Sequence, residues 1–126
     1  MNDLLTGVIV AHTDVAAALL AAVRAIAGED HGLVAVSNRG YDRDGLTAAL
    51  ETAVGGRSAV VFTDMAGGSC AHTAVALAHA KGNVKVVTGV NLAMLVDFAF
   101  HRGLPLEEAA RRAVEIGRNA VGVVAR

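Results

Sequence analysis

A histidine stands where the sequence GVIVAHTDVAAALLAAV changes character. The residues before His12 are short, apolar and β-branched, as in a buried strand. Those after it are alanine-rich and apolar, as in a helix. A second polar residue at such a junction is Asp64, in VFTDMAGGS, where Gly67 and Gly68 precede Ser69. A neutral imidazole is nucleophilic at one nitrogen while the other carries a proton. A carboxylate accepting that proton fixes the tautomer and stabilises positive charge as the ring reacts. A His–Asp pair therefore suits a general base or a phosphoryl acceptor. Two glycines allow close backbone approach to a ligand, and Ser69 stands where it would cap the next helix. Free N–H groups and the helix dipole at such a terminus favour an anion. The terminus after His12 would offer the same, with Thr13 or Asp14 as cap.

Each feature alone has a plainer reading. A histidine at a strand end is most often a polar loop residue, an aspartate there a turn residue, and a lone GGS a turn. Their joint placement depends on the elements that carry them. Apolar strand signals occur at Gly7–Ala11, Leu33–Ser37, Ser58–Thr63 and Val84–Thr88. Helical segments are expected at Asp14–Ala27, about Asp44–Val54, Ser69–Ala80, Asn91–Arg102 and Pro105–Arg118. Continuous apolar strands alternating with helices predict a doubly wound α/β domain, its parallel sheet covered on both faces. The apolar tail NAVGVVAR suits an antiparallel edge strand. In such sheets ligands bind at the carboxyl ends of strands, near the point where strand order reverses. A 2-1-3-4 order would make His12 and Asp64 neighbours there.

Other candidates are weaker. His72 and His79 are two helical turns apart, about 10 Å, too far to share a metal. His31 is expected to be solvated in GEDHG, and His101 to sit in the last turn of a helix, where a cation is favourable. Cys70 reads as a small packing residue, and Tyr41 as a candidate for the cleft rim. Glu107 with Arg111, and Glu108 with Arg112, read as pairs on a solvated helix face.

Composition limits the function classes. The chain of 126 residues is expected to be one domain, with 54% hydrophobic residues but only 3% aromatic ones, so Ala, Val, Leu and Ile must build the core. The net charge of -1 without a basic block disfavours nucleic-acid binding. No apolar run reaches the roughly 18 residues of a membrane span. The start, MNDLLTG, lacks the basic region of a signal peptide. One cysteine excludes an internal disulfide and fits a reducing compartment. The expectation is a cytoplasmic protein.

With GVIVAH, VFTDMAGGS, VVTGVNLAMLVD and EEAARRAVEIGRNAV in place, the chain resembles the enzyme IIA component of the mannose-type sugar phosphotransferase system over almost its whole length. The resemblance implies a transient phosphohistidine at His12, with HPr as phosphoryl donor and a IIB component as acceptor. It implies that Asp64 orients the ring, that Ser69 helps hold the phosphoryl oxygens beside Gly67, Gly68 and Thr13, and that no metal or organic cofactor is required. It also implies a homodimer that exchanges the C-terminal strand, about Asn119 to Ala125. The membrane would be reached only through association with a permease complex. The chain departs from the family's usual residues at Thr13 (commonly glycine), Cys70 (commonly proline) and Ala66 (often bulky). Two rivals are the phosphotransfer subunit of a dihydroxyacetone kinase, which has this fold, and a regulatory module read out through phosphorylated His12. A flavodoxin-like receiver would want an acidic pair where this chain has AHTD.

Overall fold

The structure, a computed structural model, describes residues 4–125. Four strands form one parallel sheet: β1 (Thr6–Ala11), β2 (Leu33–Ser37), β3 (Ala59–Thr63) and β4 (Val84–Val87). Five helices accompany them: α1 (Val15–Ala27), α2 (Arg43–Val54), α3 (Gly68–Ala80), α4 (Leu92–Ala99) and α5 (Leu106–Asn119). The strand order is β2-β1-β3-β4. The register sets Gly7 beside Leu33 on one side and beside Val60 on the other.

The sheet is apolar on both faces because each central strand alternates between two cores. Ile9, Ala11, Val60 and Phe62 join Val23, Leu95, Phe98 and Ala113 on one face. Val8, Val10, Ala59 and Val61 join Leu46, Leu50, Cys70 and Leu77 on the other. Helices α1, α4 and α5 thus cover one face, and α2 and α3 the opposite one. The largest aromatic contact, Phe62 against Phe98, is edge-to-face with centroids 5.3 Å apart, a favourable arrangement of ring quadrupoles.

From β1 the chain crosses to β2 over one face; from β2 it returns past β1 to β3 over the other. The reversal places the carboxyl ends of β1 and β3 side by side, which is where open α/β sheets bind ligands.

One expectation needs correction. Helix α4 ends at Ala99 rather than near Arg102. The Phe100 and His101 amides bond back to the Asp97 and Phe98 carbonyls, tightening the last turn. Arg102 is then held through its backbone carbonyl and guanidinium by the backbone of Leu5. The expected C-terminal strand is not formed within the single chain: among the described residues, 121–125 follow α5 without strand pairing. Val121, Val123 and Val124 lie open at 77%, 98% and 81% exposure. The free edge of β4 stays unpaired among the described residues.

Among the described residues, no helix is long and apolar enough to cross a membrane.

Candidate functional site

His12 is the first residue beyond β1, and Asp64 the first beyond β3. The switch point brings them together. His12 Nδ1 lies 2.8 Å from Asp64 Oδ2, and the same oxygen accepts the His12 backbone N–H at 3.0 Å. One carboxylate oxygen thus holds both the ring and the main chain of the histidine. Burial pushes the Asp64 carboxyl up, but the His12 amide and ring bonds outweigh it and hold the group below its ordinary value. The carboxylate is therefore ionised at neutral pH and accepts the Nδ1 proton. That tautomer leaves Nε2 with a free lone pair.

Nε2 points toward the start of α3. A Cβ added to Gly68 would stand 3.9 Å from Nε2 and 3.7 Å from Cε1. Gly68 has φ of +91°, so a side chain there would be strained as well as close to the ring. Gly67 precedes the first turn of α3, and no side chain caps that terminus. Its first amides are therefore available to an anion. Ser69, expected as the cap, lies inside the first turn instead. Its hydroxyl is a donor beside the amides rather than their partner.

The terminus of α1 is different. Asp14 occupies its cap position without a side-chain bond to it. The Val15 N–H goes to the His12 carbonyl, and the Thr13 N–H donates to Asn38 Oδ1 at 3.1 Å. Thr13 is the only non-glycine residue with positive φ among those described, at +50°. For a β-branched residue this conformation costs about 1–2 kcal/mol. Its amide is committed, so only its hydroxyl remains for a ligand.

The loop after β3 is fixed by Thr63, whose fully buried hydroxyl donates to the Met65 carbonyl at 2.8 Å. Beside Gly68 and Ser69 opens a cleft of about 430 Å³, also lined by Asn38, Tyr41, Arg43 and His72. Tyr41 therefore takes the rim position expected of it. His72 faces this cleft while His79 lies elsewhere on the helix surface. Cys70 packs in the core with no exposure. Burial and the charge of Asp64 push its thiol up, against a weaker lowering by Ser69. Donor atoms of His12, Asp64 and Cys70 lie within 4.8 Å of one another. A cysteine binds metal as thiolate, and Cys70 is held as the thiol.

Several peripheral expectations change. His31 is buried and accepts the Leu33 amide at Nδ1, 3.0 Å away, so it is a structural turn residue rather than a solvated one. His101 falls after the last helical turn, with Nδ1 2.8 Å from the Asp97 carbonyl. Arg112 forms a two-point bond to Asp97, at 2.8 and 2.9 Å, instead of pairing with Glu108. Glu107 pairs with Lys85 at 3.2 Å instead of with Arg111. Glu107 and Arg112 each had a same-helix partner in sequence, but α5 lies against β4 and α4, which offer Lys85 and Asp97 instead.

Sequence reasoning missed Ser37, Asn38 and Thr63. The available signal for the first two was a pair of polar residues ending the edge strand beside the one that carries His12.

The family model described as the PTS system fructose IIA component matches residues 6–115. Among solved structures, the chain is similar to the phosphotransferase system component EIIA from Streptococcus agalactiae. That match has 22% identity and a TM-score of 0.87, covering 94% of this chain and 96% of that one. It is also similar to the mannose/sorbose specific IIA subunit from Enterococcus faecalis, at 24% identity and TM-score 0.86, covering 97% and 96%. A sigma-54 interaction domain protein from Enterococcus faecalis has the same fold at 14% identity and TM-score 0.74, covering 95% of each chain. No curated protein is a sequence match for the chain. The fold alone is thus shared by differently described proteins, whereas the family model spans most of this sequence. On that match the chain belongs to the mannose-type EIIA family of the sugar phosphotransferase system, which supports a phosphocarrier role.

Proposed function

We propose that the chain is a phosphocarrier that takes a phosphoryl group from phospho-HPr onto Nε2 of His12 and passes it to a histidine of a IIB component. The observation that carries this reading is the 2.8 Å contact between His12 Nδ1 and Asp64, which in the Nδ1–H tautomer presents the Nε2 lone pair beside the uncapped terminus of α3. In the forward step the Nε2 lone pair forms the new N–P bond as the N–P bond of phospho-HPr breaks. No proton has to leave Nε2. The phosphorylated ring keeps its Nδ1 proton, and Asp64 stabilises the positive charge that it gains. The amides at Gly68 and Ser69 and the Ser69 hydroxyl face the phosphoryl oxygens, with Gly67 allowing their approach and the Thr13 hydroxyl on the other side. These groups suffice for the step without a metal or organic cofactor. Transfer to IIB is the same exchange in reverse, with a different histidine as acceptor.

The setting we infer is the cytoplasm, with the membrane reached through a permease complex, and the active form a homodimer. The exposed valines of the tail and the free edge of β4 support exchange of residues 119–125 between protomers. A groove beside that edge is lined by Val86, Val87, Met94, Val114 and Gly117.

The test is incubation with phosphoenolpyruvate, enzyme I and HPr, followed by mass spectrometry. The wild-type chain should gain one acid-labile phosphate and His12→Ala none. A wild-type chain that stays unlabelled, or a His12→Ala variant labelled at the wild-type rate, overturns the proposal.

A further inference from the structure

The end of β2 is tied to the residues that follow His12 by bonds the transfer step does not itself use. The Asn38 side chain accepts the Thr13 N–H at 3.1 Å, and the Ser37 hydroxyl donates to the Thr13 carbonyl at 2.7 Å. Both polar groups of one peptide unit's residue are thereby held by side chains of the adjacent strand end. The Ser37 oxygen also accepts the Arg39 N–H at 3.0 Å, and Arg39 Nη1 reaches Asp14 Oδ1 at 3.1 Å. Asn38 is itself anchored, since its backbone N–H extends the sheet by bonding to the Ala11 carbonyl at 3.1 Å.

These bonds surround Thr13, the one non-glycine residue with positive φ among those described. A strained conformation persists only where its surroundings over-determine it. Here the surroundings are Ser37 and Asn38, and the strained residue directly follows His12. If Thr13 relaxed to negative φ, the peptide joining it to His12 would rotate. That peptide carries the His12 carbonyl, which now accepts the Val15 N–H at 3.1 Å and starts α1. Asp64 fixes the ring from one side, while the strand-end bonds fix the main chain from which the ring projects. In-line displacement demands both, because reacting atoms must meet within a few tenths of an ångström.

We propose that Asn38 and Ser37 are positioning residues for phosphoryl transfer: they hold Thr13 in its left-handed conformation and so aim Nε2 of His12 at the α3 terminus. The inference rests on His12 being the phosphoryl acceptor. It also explains how a threonine is tolerated at a position whose backbone suits glycine.

The experiment is single-turnover phosphorylation of the full chain by phospho-HPr, with donor concentration varied to separate the maximal rate from the half-saturation point. Asn38→Ala should lower the maximal rate about tenfold or more, and Ser37→Ala about threefold, with half-saturation little changed. Glycine adopts positive φ unaided, so placing Asn38→Ala in a Thr13→Gly background should cost less than about threefold relative to Thr13→Gly alone. An unchanged rate for Asn38→Ala overturns the proposal. So does an equal loss in both backgrounds, which would make Asn38 a contact to the donor or the phosphoryl group. A second readout is the Nδ1–H proton resonance of His12 in the unphosphorylated chain. It should shift or broaden in Asn38→Ala and recover in the double variant. Phosphate uptake by His12→Ala would refute the acceptor assignment separately, and the resonance alone would then decide whether the strand end positions the ring.

Discussion

At the scale of single residues, Asp64 does two jobs with one oxygen, gripping both the ring and the amide of His12. Its other oxygen, Oδ1, is buried without a side-chain partner among the described residues, so His12 supplies most of the bonding that stabilises the carboxylate. Replacing it by asparagine keeps the shape but removes the charge that favours the Nδ1–H tautomer and the phosphorylated ring. Asp64→Asn should fold normally, by circular dichroism, and take up phosphate about 10²-fold or more slowly. An unchanged labelling rate would remove Asp64 from the mechanism. The same pair makes stability depend on pH. The folded carboxyl titrates below its ordinary value, so between the folded and unfolded values the unfolded chain binds more protons. The stabilisation is complete above the window and is lost as pH falls through the folded value. Urea titrations at pH 7 and below pH 4 should show the wild type losing more of its stability than Asp64→Asn.

Among the elements, β1 is the most constrained. Every one of its residues is buried, and it pairs on both edges. Gly7 lies where β1 passes beneath Leu33 and Phe98. A Cβ there would overlap Leu33 Cδ2 and stand 2.7 Å from Phe98 Cε2. Both neighbours are themselves buried, so neither can swing away into solvent. Gly7→Ala should destabilise the protein by about 1–3 kcal/mol, lowering the melting temperature by roughly 5–10 °C. Calorimetry would measure this, and a melting temperature within a degree of wild type would show that the core yields there. Because β1 also delivers His12, its rigidity reaches the site directly.

For the whole molecule, the described chain leaves an imbalance. Val121, Val123 and Val124 are exposed in sequence succession, and β4 presents an unpaired edge beside an apolar groove. A stretch with apolar side chains and unpaired backbone groups gains most by joining an edge of another sheet. Under the proposed exchange, the intact chain should sediment as a dimer, and a chain ending at Arg118 as a monomer of lower stability. Analytical ultracentrifugation distinguishes these outcomes. An intact chain that stays monomeric at tens of micromolar would refute the exchange. The truncated chain should still take up phosphate, since His12, Asp64 and Gly68 all lie within the first three β-α units.

The sequence by itself determined the element order, because local apolar runs and helical periodicity need no tertiary partner to be recognised. Four strands and five helices lie within a few residues of expectation, apart from the early end of α4. It also marks His12, Asp64 and the glycines as residues whose chemical types suit phosphoryl chemistry at strand ends. Their convergence requires the 2-1-3-4 order, which the sheet adopts. The tertiary structure alone decided what depends on contacts between distant segments. His31 became buried because its turn packs inward, and Arg112 chose Asp97 because α4 lies nearer than its own helix neighbour. Ser69 lost its capping role because α3 begins one residue earlier. The left-handed Thr13 was least visible of all. Threonine has no local preference for that conformation, and the side chains that hold it come from a strand more than twenty residues away.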